Sequence, residues 1–228
     1  MSDVPQHIGY ILDGNRRWAK THGLPTYEGH LAGYNALKEV IEATADAGVR
    51  YISFYTFSTQ NWSRAEEEVR GIMRLVRRLF TSDLNSMVKD GYKLVVMGGE
   101  ENVPQDILEN ARKAEETSKN GTRATLVVCF NYGGQEEIVR AAKRLVEQGV
   151  DANDITMERF AGALDHPEVP ECDLIVRTSG EQRLSDFMLW RSAYSEFLFL
   201  DKFWPEMTKG DVTTILKEYK ERERRRGK

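Results

Sequence analysis

The sequence predicts an α/β fold, a single domain over residues 1–228 with a central six-stranded, mostly parallel sheet flanked by helices. Three observations carry that expectation. Apolar, β-branched or aromatic runs of strand length recur along the chain, longer amphipathic stretches alternate with them, and several of those stretches stop at a glycine. The strand-like runs are 7–12, 51–57, 93–97, 125–131, 173–178 and 197–200. Between them, 29–47, 65–89, 104–119 and 135–148 read as helices, with Gly48, Gly91, Gly121 and Gly149 just past their ends. Shorter helices fit 156–164 and 189–194, and 209–226 closes the chain. Strand–helix alternation covers both faces of a parallel sheet, and such sheets bind ligands at the carboxyl ends of their strands.

Composition narrows the function classes. A chain of 228 residues buries roughly 70% of the surface that its unfolded form exposes, so no disulfide or metal staple is needed. A net charge of −4 with 30% charged residues argues against nucleic-acid binding through a broad basic face, so any anion site must be local. Cys129 and Cys172 lie far apart, lack CxxC spacing, and read as reduced, buried residues of a cytosolic protein. Residues 1–6 are polar without the basic start of a signal peptide, and no apolar run approaches the roughly 18 residues that span a bilayer. The expected location is cytoplasmic. The glycine-rich nucleotide loops, the GxSxG elbow and HExxH are all missing, and His7, His22, His30 and His166 show no metal-ligand spacing.

The chemistry-bearing residues gather after strand-like runs. Asp13-Gly14-Asn15-Arg16-Arg17-Trp18 follows the first run. Its glycine lets backbone approach a ligand, its arginines fork onto phosphate oxygens, and its aspartate can hold a hard divalent cation against them. His30, just downstream, is the histidine best placed for a role. After the second run, Phe57-Ser58-Thr59-Gln60-Asn61-Trp62-Ser63-Arg64 mixes amide and hydroxyl groups with aromatic area, which suits a ligand with a polar head and an apolar body. Glu66-Glu67-Glu68 then read as dipole-complementing acids, with Ser63 as the cap. Asn131-Tyr132-Gly133-Gly134 after the fourth run is either an anion-facing turn or a plain one. After the fifth run, Arg177-Thr178-Ser179-Gly180-Glu181-Gln182-Arg183-Leu184-Ser185 concentrates guanidinium and hydroxyl groups in the manner of a diphosphate grip, with Glu196 beyond it.

In order, residues 7–20, 57–69, 131–134 and 173–205 closely resemble the cis-prenyltransferase family, whose type members are undecaprenyl and dehydrodolichyl diphosphate synthases. The resemblance implies the undecaprenyl diphosphate synthase-like fold, with a hydrophobic tunnel running from the strand ends between long helices. It implies condensation of isopentenyl diphosphate with an allylic prenyl diphosphate, Mg²⁺ as cofactor, and a homodimer without nucleic acid. Peripheral membrane contact for product release is a further expectation. By position, Asp13 handles the metal and diphosphate, and Asn15 helps remove the proton during condensation. Gly14, Asn15, Arg16, Arg17, Trp18 and His30 surround the allylic diphosphate, with Phe57, Ser58, Asn61 and Trp62 as hinge and wall. Arg64, Arg177, Arg183 and Ser185 match the isopentenyl diphosphate grip. Glu196 matches a carboxylate beside the metal, and Arg225 with Gly227 matches a C-terminal RxG that reaches a neighbouring subunit's site.

Three departures stand out. Thr26 replaces a frequent arginine while Arg16 replaces a frequent glycine, Gln60 replaces a common glutamate, and Arg177–Gly180 with Ser185-Asp186-Phe187 looks more archaeal or eukaryotic than bacterial. A non-catalytic partner subunit of the same family is the second hypothesis. Such partners lose the aspartate and binding arginines, whereas Asp13, Arg17, Arg177 and Arg183 are present. A phosphosugar or nucleotide enzyme is the third, opposed by the missing nucleotide loops and the Phe57/Trp62 wall. For the product, Val69, Ile72, Met73, Val76, Leu79 and Phe80 either line a tunnel or pack a core. Ala124 is too small to block elongation, whereas Phe54, Phe80 or Met87 are large enough. The expectation is a medium- or long-chain product from a farnesyl or geranylgeranyl primer, with a short product as the alternative.

Overall fold

Apolar residues on both sides of a strand require cover on both faces, and the strands here are buried on both. The computed structural model describes residues 4–222. Its strands are β1 (His7–Ile11), β2 (Tyr51–Ser58), β3 (Tyr92–Met97), β4 (Ala124–Tyr132), β5 (Leu174–Arg177) and β6 (Glu196–Phe199). They form one sheet in the order β3-β4-β2-β1-β5-β6, and every neighbouring pair is parallel, so the sheet is wholly rather than mostly parallel.

Alternate residues serve opposite layers. Ile8, Tyr10, Leu126, Val128, Leu174 and Val176 join the core beneath the long helices, while Ile11, Val127, Cys129 and Ile175 join the opposite core with Phe187 and Met188. Cys129 and Cys172 are free and buried, and burial pushes the Cys172 thiol up to about 12.

The helices are α1 (Asn15–Thr21), α2 (Thr26–Asp46), α3 (Glu66–Phe80), α4 (Leu84–Lys89), α5 (Gln105–Ser118), α6 (Gly134–Glu147), α7 (Met157–Ala161) and α8 (Lys209–Glu221). Among the described residues, none is long and apolar enough to cross a membrane.

Three helix expectations need correction. The short α1 is additional, because the polar turn after β1 coils into a helix. The stretch 65–89 divides, because the backbone leaves the helix at Thr81 and the Asp83 carboxylate turns to Tyr34 and Lys38. Residues 189–194 form turns rather than a helix. There Arg191 is drawn inward, donating to Glu137 Oε1 at 2.6 Å and to the carbonyls of Asp165 and Val169.

β1 marks the topological switch point. The chain passes from β1 to β2 on one side and reaches β5 on the other, which leaves a crevice above the carboxyl ends of β1 and β5. The buried Arg191–Glu137 pair, with 3% and 1% of the side chains exposed, holds the loop that closes one side of that crevice. Arg191→Met should lower unfolding stability by about 3–5 kcal/mol in urea titration, because Glu137 is left charged and buried; a change below about 1 kcal/mol would remove this pair from the account.

Candidate active site

Sheet register sets Ile11 beside Arg177, and the turn that follows β1 brings Asp13, two residues on, back to Arg177 across the crevice. Arg177 donates from Nη2 to Asp13 Oδ2 at 2.8 Å, and Arg17 donates from Nη2 to Asp13 Oδ1 at 3.2 Å. Partial burial by itself raises the Asp13 carboxyl, but the bonds and charges of Arg177 and Arg17 outweigh it and hold the group below the usual carboxylate range. Asp13 is therefore ionised at neutral pH. The Thr178 hydroxyl donates to the Asp13 carbonyl at 2.7 Å and accepts from the Asp13 N–H at 3.1 Å, which fixes the turn. Gly14 follows with φ of +106°, and a Cβ there would stand 2.9 Å from Phe203 and 3.0 Å from Ser179 Oγ. Glycine is required by both conformation and space.

The turn opens α1, so the N–H groups of Asn15, Arg16 and Arg17 have no acceptor within the helix. α2 passes close beneath, because a Cβ on Gly29 or Gly33 would collide with the Asn15 carbonyl or its side-chain oxygen at 2.1 and 2.2 Å. This approach places His30 beside Asn15. From α3, Glu68 reaches the same place with 7% of its side chain exposed; it accepts from His30 Nε2 at 3.1 Å and Arg64 Nη1 at 2.9 Å, with Arg16 Nε at 3.7 Å. Burial lowers the His30 pKa, Glu68 raises it in part, and Arg64 and Arg16 lower it, with a net downward shift. His30 is thus a neutral imidazole at pH 7.

Three cavities meet at Leu12, Asn15 and His30. The largest, about 710 Å³, is cationic and lined by Asn15, Arg16, Arg17, Lys20 and Arg64 as well as Asp13. A second, about 210 Å³, is lined by Ser58, Asn61, Arg64, Arg177 and Ser185. The third is a narrow apolar chamber of about 60 Å³ between α2 and α3, with Tyr34, Leu37, Ile72, Leu75, Val76 and Leu79 in its walls. It is the counterpart of the expected tunnel, reduced to a small space between the two helices. Three buried polar atoms at or beside this junction have no partner: Asn15 Oδ1, Arg177 Nε and Ser179 Oγ. The neighbouring loop carries positive φ at Ser179, Ser185, Asp186 and Met188, a concentration of strain typical of ligand sites.

Not every expected residue reaches the cavities. Asp13, Gly14, Asn15, Arg16, Arg17, His30, Ser58, Asn61, Arg64, Arg177 and Ser185 line them. Trp18 does not: it stacks on His22 with centroids 4.3 Å apart. Phe57 is buried and Trp62 meets it edge-on at 4.9 Å, donating from Nε1 to Asn131 Oδ1, so this wall stands behind the lining. Arg183 contributes its carbonyl to Arg177 Nη1, while its own guanidinium, 59% exposed, pairs with Glu181 at 2.5 Å. Glu196 is a correction. It begins β6 opposite Leu174, whereas Phe199 lies opposite Arg177, and three residues of strand separate it from the site edge by about 10 Å. It pairs with Arg222, so within one chain it does not share a metal with Asp13. Arg225 and Gly227 lie outside the described residues.

The Gly133-Gly134 turn is structural, because Asp186 occupies the N–H of Gln135 and a Cβ on Gly133 would meet its carboxylate at 2.7 Å. Ser63 does not cap α3; it donates to the Gln60 carbonyl. Glu68, read from sequence as a dipole-complementing acid, is instead the hub of the cationic cavity.

Among the described residues no group of three His, Cys, Asp or Glu side chains could hold a metal ion. Asp13 alone fits a narrower role. A single ionised carboxylate at the mouth of an arginine-lined cavity matches Mg²⁺, which commonly takes one or two carboxylates together with substrate phosphates and water.

The prenyltransferase family model described as "Putative undecaprenyl diphosphate synthase" matches residues 11–227. Isoprenyl transferase 2 of Bradyrhizobium diazoefficiens is 42% identical, over 99% of this chain and 91% of the relative. The isoprenyl transferase of Thermotoga maritima is 39% identical, over 98% and 97%. Among solved structures, lavandulyl diphosphate synthase from Lavandula x intermedia, in complex with dimethylallyl diphosphate, superposes with a TM-score of 0.93 at 31% identity, over 97% of this chain and 98% of that one. A "probable undecaprenyl diphosphate synthase" from Campylobacter jejuni superposes with a TM-score of 0.84 at 28% identity, over the whole of both chains.

The Glu68 hub generates a signed test. Because its carboxylate raises the His30 pKa against burial and two arginines, Glu68→Gln should lower that pKa further in an NMR titration of the imidazole. A value that stays put or rises would show that Glu68 does not govern His30.

Proposed function

The chain belongs to the undecaprenyl diphosphate synthase family of prenyltransferases, and from that membership we propose that it condenses isopentenyl diphosphate with an allylic prenyl diphosphate, releasing diphosphate and leaving a cis double bond. One observation carries the assignment to these residues: two phosphate-suited cavities and an apolar chamber share Leu12, Asn15 and His30. The allylic diphosphate occupies the larger cavity, against Arg16, Arg17, Lys20 and the first N–H groups of α1, with its hydrocarbon in the chamber. Isopentenyl diphosphate occupies the second, against Arg177, Arg64 and Ser185.

The chemistry needs no covalent enzyme intermediate. As the allylic C–O bond breaks, negative charge grows on the departing diphosphate, and fixed guanidinium and N–H groups aimed there lower the barrier. The double bond of isopentenyl diphosphate attacks the allylic carbon as its C–O bond breaks, a C–C bond forms, and a proton passes to the departing diphosphate to restore a double bond. Asn15, with an unpartnered Oδ1 at the junction, orients the group that loses that proton. The chamber keeps water from the cation. Mg²⁺, held by Asp13, would neutralise diphosphate charge when bound.

Product length is the finer part of the proposal. The match to a family model described as an undecaprenyl diphosphate synthase supports a medium- or long-chain product from a farnesyl or geranylgeranyl primer. The narrowness of the chamber favours the second reading, a short cis-prenyl product. The proposal extends to a homodimer in which the segment with Arg225 and Gly227 serves a neighbouring subunit's site.

Purified protein with Mg²⁺, labelled isopentenyl diphosphate and geranyl, farnesyl or geranylgeranyl diphosphate in turn should give labelled polyprenyl products, and chelation should stop the reaction. Incorporation with none of the primers would overturn the catalytic reading in favour of a non-catalytic subunit. Asp13→Ala should lower kcat by about 10²–10³-fold with an unchanged circular dichroism spectrum; normal turnover would sink the metal assignment. Deleting residues 225–228 should reduce kcat/KM while light scattering still reports a dimer, and full activity would return that segment to solvent.

A further inference from the structure

The first N–H groups of α6 have no acceptor within the helix, and a helix start of this kind attracts anions. Here one residue takes them. Asp186 receives the Gly134 N–H on its carbonyl at 2.7 Å and the Gln135 N–H on its carboxylate Oδ1 at 2.8 Å. Two glycines make room for it. A Cβ on Gly133 would stand 2.7 Å from Asp186 Oδ2, and one on Gly134 would stand 2.9 Å from the Asp186 carbonyl oxygen. Neither glycine has a positive φ, so close approach rather than conformation accounts for the pair.

The residue held in this way adjoins a site residue. Ser185 lines the second cavity, and its hydroxyl accepts from Arg177 Nη1 at 2.8 Å. Ser185 and Asp186 have φ of +49° and +66°, and Met188 follows at +47°. Left-handed backbone at non-glycine residues is costly and persists only where the surroundings over-determine it. Phe187 supplies a second anchor. It is wholly buried, stacks on Tyr55 with centroids 4.9 Å apart, and passes so near β1 that a Cβ on Gly9 would stand 2.8 Å from its ring. The turn is thus fixed in the core by Phe187 and at α6 by Asp186, and the residue just before them meets Arg177. A turn that served only to connect could relax to ordinary backbone; the strain is kept where a hydroxyl and a guanidinium must meet.

We propose that Asp186 is a positioning residue for the isopentenyl diphosphate site: by occupying the first N–H groups of α6 it fixes the turn that sets Ser185 against Arg177, and it keeps that helix start from competing for the anion. The inference rests on the reading of the second cavity as the isopentenyl diphosphate site. It makes Asp186 act on one substrate, because the cavity assigned to the allylic diphosphate has no lining residue from the 184–189 turn.

The test reads initial rates with labelled isopentenyl diphosphate, Mg²⁺ and whichever of geranyl, farnesyl or geranylgeranyl diphosphate the wild-type protein uses best, with calorimetric titration of isopentenyl diphosphate alongside. Asp186→Ala should raise KM for isopentenyl diphosphate about 10–100-fold while leaving KM for the primer within about twofold, and the calorimetric Kd should move with the former. Asp186→Asn, which keeps an acceptor for the Gln135 N–H and tolerates positive φ, should restore the wild-type value. Gly133→Ala, whose Cβ displaces the carboxylate, should raise the same KM and add little in the Asp186→Ala background; it is also the second route if Asp186→Ala fails to fold. Unchanged KM for isopentenyl diphosphate in folded variants, equal rises for both substrates, or an Asp186→Asn variant as impaired as Asp186→Ala would overturn the assignment and leave prenyl transfer standing. A wild-type protein that neither incorporates label nor binds isopentenyl diphosphate would overturn both.

Discussion

The ion pair between Asp13 and Arg177 is the constraint from which the rest of the site follows. The two residues are 164 positions apart, yet Arg177 ends β5 and Asp13 follows β1 by two residues, and β1 and β5 are neighbours only because the chain reverses its direction of sheet growth at β1. Once that register is set, the turn after β1 must pass close to the loop after β5. Thr178 and Trp204 bind the Asp13 backbone, Gly14 slips between Phe203 and Ser179, and α1 starts with its free N–H groups over the crevice. A shift of one residue in β5 would turn Arg177 toward the opposite face, and one in β1 would displace the turn that carries Asp13. The sheet therefore supplies the accuracy, and the loops supply the chemistry.

A second feature follows from a chain of net charge −4 that must attract anions. Its site arginines are paired with protein carboxylates: Arg177 with Asp13, Arg64 and Arg16 with Glu68, and both Arg17 and Arg183 with Glu181. These pairs differ in burial. Glu68 has 7% of its side chain exposed and serves as a fixed support, whereas Glu181 has 31% exposed and engages two partly solvated arginines. An incoming diphosphate competes with an exposed carboxylate for a guanidinium at small cost, since such surface pairs contribute little. Displacing Glu68 would leave a buried charge and is disfavoured. Burial thus separates arginines that are positioned from arginines that are exchangeable.

This division explains what was legible in the sequence. The six strands and the Asp13–Arg17 and Arg177–Ser185 segments could be read because their signals are local: apolar runs, a glycine, and clustered guanidinium groups. Glu68 could not, because its role exists only after α1, α2 and α3 converge, and three successive glutamates at a helix start look alike. The break at 81–83 carries neither glycine nor proline, and only the tertiary partners of Asp83 account for it. Trp62 shows that an aromatic residue inside a site motif can back a wall, and Trp18 that it can turn away from the site to stack on a neighbouring ring. Glu196 is instructive in another way. A strand that runs parallel to β5 must begin at the amino edge of the sheet, so its first residue lies at the opposite end from Arg177; proximity in sequence to the arginine loop concealed that geometric necessity.

The unpartnered atoms give the energetic reason for these arrangements. Asn15 Oδ1, Arg177 Nε and Ser179 Oγ are buried without hydrogen bonds, and each such group costs on the order of 1–3 kcal/mol. The strained backbone from Ser179 to Met188 adds to that cost. A fold of ordinary stability tolerates the sum only because the surrounding framework over-determines the loop: Arg191 is buried against Glu137, Asp186 secures the start of α6, and β1 and β5 fix both ends of the crevice. Polar groups held this way need no reorganisation when charge develops beside them, and that preorganisation is what an ionising diphosphate requires of its site. The same logic separates the cationic cavities from the apolar chamber. There the Tyr34 hydroxyl already donates to Asp83, and Leu37, Ile72, Leu75, Val76 and Leu79 give a hydrocarbon tail an apolar wall.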